Sequence, residues 1–256
     1  MKLNLRSTLP LFIVMALSYS ACKKTENKPA SGSRNDEVSA AIAKNLVQSL
    51  SGAYGGASIK DGVAPSAAIT ASSAKLKTQS EIGCGFYTDN SLDLKFNQGD
   101  TIKSETVGSV NYFFLCNNQR TTGYNLYDSL STTGKGPGYE FFFALVQDFK
   151  VRGLNVDNSN FTLNGRLKSY VDFSYTKTEK SSSVHNIFHF IDAQVHAADN
   201  YDIVDGSATF ESIGETSTGA WDYSGTIKFL GNHKAKLTFM SKVYLIDLLT
   251  GSVTPA

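Results

Sequence analysis

The chain has 256 residues, 24 basic and 23 acidic side chains, and 41% apolar residues, which suits one large domain or two small ones. That near-neutral balance, with no basic cluster, argues against a nucleic-acid partner. The 16 Phe and 12 Tyr are many for the length, as expected where pleated strands bury alternate large rings.

The first segment reads as a secretion signal over residues 1–21. Lys2 and Arg6 supply a positive start, Leu9 to Leu17 an apolar run, and Ser18, Tyr19, Ser20 and Ala21 a region of mostly small residues directly before Cys22. An apolar run this short falls well below the ~20 residues a helix needs to cross a bilayer, so it predicts a removable signal and not a permanent span. Without Lys2 and Arg6, 22 basic residues face 23 acidic ones. Residues 22–34, with Lys23, Lys24, Pro29, Gly32 and few apolar side chains, predict a flexible tether.

A short apolar segment ending at a cysteine resembles the signal of bacterial lipoproteins, although Tyr19 stands where that family usually has Leu, Val or Ile. The resemblance implies that Cys22 is acylated, palmitate included, and becomes the first residue of the mature chain. Two or three acyl chains, at about 0.8 kcal/mol for each buried CH₂, give stable membrane attachment. The opening Cys22-Lys23-Lys24 followed by a polar stretch is similar to uncharacterised outer-membrane lipoproteins of the Bacteroidota. So is the late stretch from Gly225 to Thr238, which includes Phe229-Leu230-Gly231-Asn232. That likeness, and the absence of Asp after Cys22, imply the outer membrane, with the periplasmic or surface face open. It implies no activity.

Cys84 and Cys116 remain as an even pair in an exported chain, and an oxidising compartment predicts a disulfide between them. Asn35 to Leu50 reads as an amphipathic helix: Val38, Ile42, Leu46, Val47 and Leu50 recur at three- and four-residue spacings, Asn35 suits an N-cap and Gly52 a stop. The helix unit is bounded at 35–52. Residues 53–81, rich in Gly, Ala and Ser, read as a linker.

From residue 82 to 256 the period is two. Leu92, Leu94 and Phe96 alternate with polar residues, as do Leu167, Val171, Phe173 and Tyr175. Further strands are expected over 107–115, 123–130, 139–151, 185–196, 202–211, 220–230 and 233–248, for nine or ten in all. Long strands joined by short turns predict a mainly β fold, an antiparallel meander curled into a barrel or half-barrel, with a β-sandwich as the alternative. The stretch around Gly165 echoes that around Gly225 in residue class. Glycine inside a strand marks a bend or bulge.

No hydrolase, phosphate-loop or calcium-loop signature is present. His185, His189 and His196 cannot converge on one face of a strand, and the same-face pair is about 13 Å apart, too far for one zinc ion. Nothing calls for a metal or a cofactor. Trp221, Asp222 and Tyr223 form the most sugar-like local cluster, yet strand alternation puts the two rings on one face and the carboxylate on the other. The expected function is therefore a membrane-tethered, non-enzymatic binding or structural β domain. The alternatives are a binder of an apolar or glycan ligand in a curved sheet and a polysaccharide-acting hydrolase.

Overall fold

The computed structural model describes residues 31–59, 85, 87–118, 120–154, 160–178 and 180–256. The signal, the tether through residue 30, most of the predicted linker and Cys84 lie outside the described residues.

One helix, α1 (Ser31–Leu50), precedes eleven strands: β1 (Tyr87–Asn97), β2 (Lys103–Asn117), β3 (Arg120–Gly136), β4 (Tyr139–Arg152), β5 (Asn160–Tyr175), β6 (Lys180–His196), β7 (Asp202–Thr216), β8 (Gly219–Gly231), β9 (Lys234–Phe239), β10 (Lys242–Asp247) and β11 (Val253–Pro255). They form one sheet in which every strand pairs antiparallel with its sequence neighbours, and β1 and β11 are its two ends. The fold is mainly β, an open meander curled as a half-barrel.

The helix accounts for the curl. It presents Val38, Ile42, Ala43, Leu46 and Leu50 to a core shared with Leu126, Leu145, Leu167, Phe210, Ile227 and Leu237, which come from strands spread across the sheet. Polar contacts mark the same reach. Asn45 accepts from Ser169 on β5, Asp36 accepts from the Tyr244 hydroxyl on β10 at 3.0 Å, and Glu37 accepts from Thr218 beyond β7 at 3.1 Å. A flat sheet of this width could not touch one helix at so many strands. The apolar stripe alone would gain little as an isolated helix, so its stability comes from this burial.

The helix begins four residues before the predicted start, so Asn35 lies within it and the carboxylates of Asp36 and Glu37 serve tertiary contacts. At the other end Gly52 has φ +72°, Ala53 N donates to Gln48 O at 2.9 Å, and Gly52 N donates toward Ser49 O at 3.4 Å. This is the left-handed glycine stop expected from the sequence.

Along β4 the alternation is plain: Phe141, Phe143, Leu145, Gln147, Phe149 and Val151 are buried toward α1, with Glu140, Asp148 and Lys150 exposed on the outer face. Gly165 sits where the β5–β6 register shifts, at φ +133°, and a Cβ there would fall 2.1 Å from Asp148 O. The backbone of β4 passes too close for any side chain. Gly225 carries no such shift; it pairs directly with Phe210 and Phe239.

Two strands, β9 and β10, replace the single expected strand over 233–248. The reversal is made by Met240 and Ser241, both at positive φ (48° and 60°), the backbone of a two-residue hairpin turn in which Asn and Gly are the usual residues.

Candidate functional site

The inner, concave face is occupied by the chain itself. Beyond α1, residues 53–59 continue across it. The Tyr54 ring lies 5.4 Å from that of Phe143, and its hydroxyl donates to Gln48 at 2.6 Å. Ala57 N donates to Gln147 Oε1 at 2.7 Å and to Asp128 Oδ2 at 3.2 Å, while Gln147 Nε2 donates back to Ala57 O at 3.1 Å. Asp128 and Gln147 are fully buried. Burial pushes the Asp128 carboxyl up to about 7, against the lowering effect of the backbone donors of Ala57 and Gln147. These residues fasten the chain after α1 onto β3 and β4.

Trp221 and Tyr223 also face inward. Trp221 is buried, and its indole N–H donates to Ser212 at 3.0 Å. The Tyr223 ring packs 5.5 Å from Phe239, and Asp222 is exposed on the opposite face. The three do not converge, because β8 alternates as an ordinary strand.

Cys116, at the exposed end of β2, is disulfide-bonded; its expected partner Cys84 is outside the described residues. His185 and His189 share the outer face and His196 lies near Asp199, at 3.5 Å. Among the described residues no cluster of metal-ligating side chains forms.

A groove of about 940 Å³ opens on the outer face, over the ends of β1–β6. The register explains its lining. One row across the sheet runs Lys95, Glu105, Thr133, Phe142, Asp172, Ser183, each residue directly opposite the next. A second runs Asn97, Lys103, Lys135, Glu140, Ser174, Ser181 by the same pairings. Phe96, Phe141 and Phe173 lie between these rows, so they supply backbone to the floor and point their rings to the other face. Two rings remain on the groove side. Phe142 and Tyr170 meet edge to face at 5.5 Å, and His185 lies against Tyr170 at 3.7 Å between ring centroids.

Some of the polar groups around these rings are engaged with one another. Lys95 Nζ lies 3.1 Å from Glu105, and Lys135 stands directly opposite Glu140. The Tyr170 hydroxyl bonds Asp172, which pushes the phenol up, and Ser183. Burial against its neighbours lowers the His185 imidazole, with Asp172 opposing.

Sequence reading did not find this site. Its one local signal is Phe141-Phe142-Phe143, where alternation breaks and a large ring is placed on both faces of a strand. The rest depends on cross-strand register, which brings Lys95 and Ser183 to the ends of one row although nearly ninety residues separate them. Protein-family models, curated proteins and solved structures yield no match to this chain.

Proposed function

We propose that this chain is a membrane-tethered, non-enzymatic binding domain, held by lipid on Cys22 at the outer membrane, that takes its ligand in the groove on the outer face of the sheet. The supporting observation is the contrast between the two faces. The inner face is sealed by α1 and by Ala57 bound to Asp128 and Gln147, whereas the outer face carries a groove at the upper end of the ~300–1,000 Å³ range of small-molecule sites.

The tether and the groove belong together. A domain attached through residues 22–30 meets its ligand at the membrane surface, and that segment leads directly into α1. No helix among the described residues is long and apolar enough to cross a membrane; the proposed attachment is the lipid on Cys22. A binding role is favoured over hydrolysis because two of the three groove carboxylates already have a local partner, Glu105 in Lys95 and Asp172 in the Tyr170 phenol, which leaves Asp172 further lone pairs to accept from a ligand.

Amide chemical-shift mapping of the full chain with a library of small polar fragments tests the binding role. Shifts should gather on Thr133, Phe142, Tyr170 and Ser183. Shifts that gather on α1 or on β8–β10, or none at all, would overturn it. Mass analysis of membrane-extracted protein should find the acyl chains on Cys22, and the Cys22→Ala chain should leave the membrane fraction.

A further inference from the structure

We infer that the groove's ligand is a neutral saccharide, laid with the C–H face of a sugar ring on Phe142 and Tyr170. This rests on the groove being the binding site, and it adds the chemical class.

Charge comes first. The groove is lined by three cations, Lys95, Lys103 and Lys135, and three acids, Glu105, Glu140 and Asp172. Lys95 is held by Glu105 at 3.1 Å, and Lys135 stands opposite Glu140. A phosphate, nucleotide or acidic polymer is favoured by a groove of net positive charge, and a cationic ligand by one of net negative charge. With three cations against three acids the groove carries no formal net charge.

Shape and surface come next. An acyl chain or apolar ligand would require a continuous hydrocarbon lining, but Phe142 and Tyr170 are flanked by Thr133, Ser174, Ser181 and Ser183. Two adjacent rings bordered by hydroxyls and a carboxylate suit a molecule with one apolar face and a rim of hydroxyls. The edge-to-face pair, 5.5 Å between centroids, offers one ring face-up and braces it with the other. Asp172, beside the Tyr170 phenol, accepts from sugar hydroxyls, and Ser183 both donates and accepts. The groove is open along the sheet and crosses the ends of six strands, so it accommodates several sugar units of a chain.

The test uses the full chain and a panel of hexasaccharides: maltohexaose, cellohexaose, mannohexaose and xylohexaose as neutral probes, hexagalacturonate as the anion and chitosan hexamer as the cation. At least one neutral probe should shift Phe142 and Tyr170 amides, with an affinity that changes less than about twofold between low and high salt, and should be recovered uncleaved. Phe142→Ala and Tyr170→Ala should each weaken it about tenfold or more, equivalent to about 1.4 kcal/mol per tenfold. Asp172→Asn, which keeps size and shape, should weaken it severalfold, and Ile213→Ala, exposed on the same face outside the groove, should leave it unchanged.

If fragments shift the groove amides while all four neutral probes are silent, or if a charged probe binds there more tightly, the saccharide assignment fails and the binding site stands. If fragments are silent as well, both fail. Cleavage of a bound probe would overturn the non-enzymatic reading alone.

Discussion

Gln147 and Ala57 exchange two hydrogen bonds, Ala57 N to Oε1 at 2.7 Å and Nε2 to Ala57 O at 3.1 Å, so that a side-chain amide on β4 stands in for the backbone of a partner strand. The chain after α1 is thereby stitched to the sheet next to the isolated β-bridge at Ser58. Gly56 belongs to the same joint, since a Cβ there would lie 2.2 Å from Leu145 Cδ2 and 2.7 Å from Gln147 Oε1.

Gln147→Leu keeps the approximate volume and removes the amide. It orphans Ala57 O inside the protein, and Ala57 N retains only the longer bond to Asp128. The expected loss is about 1–3 kcal/mol in chemical denaturation, the usual cost of a buried unsatisfied polar group. A loss below measurement error would mean that the segment around Ala57 lies free of the sheet.

Asp128 predicts a pH dependence opposite to that of a surface carboxylate. Its folded value, about 7, lies above the ordinary 3.8 because burial outweighs two backbone donors. Between those values the folded state holds a proton that the unfolded state has released, so stability falls as pH rises from about 4 to about 7 and levels off above. Each unit of the difference corresponds to about 1.4 kcal/mol. Asp128→Asn should flatten that part of the stability profile, as read by unfolding midpoints at a series of pH values. An unchanged slope would place the titration elsewhere.

Much of the architecture was legible because its signals are local. The three- and four-residue spacing of Val38, Ile42, Leu46 and Leu50 foretold a helix with one buried stripe, and the alternation of Leu167 through Tyr175 foretold a half-buried strand. The hairpin between β9 and β10 was not legible, since Met240 and Ser241 adopt left-handed backbone without the Asn or Gly that normally announces it. The groove was hidden for a different reason. Phe142 becomes a neighbour of Tyr170 and Asp172 only through the β4–β5 register, and no short window of sequence contains that register. The Trp221 cluster misled because adjacency in sequence on a strand means opposite faces in space.

Gly165 gives a sharper test of the bulge that the echo with Gly225 suggested. Gly165→Ala places a Cβ against Asp148 O at a backbone angle that L residues avoid, with an expected cost of about 1–3 kcal/mol. Thermal unfolding of the variant measures it. A cost near zero would show that β4 and β5 separate there readily.

The placement of the proposed binding site on the outer face depends on α1 closing the inner one, and hydrogen exchange of the α1 amides is the most direct measurement of that. Amides from Val38 to Leu50 should exchange as slowly as those of Leu167 and Phe188, buried at the centre of β5 and β6, because they open only with the whole core. Exchange of α1 at the rate of a solvated segment, with β5 and β6 still protected, would mean that the helix leaves the sheet and that the concave face, not the groove, is the open surface.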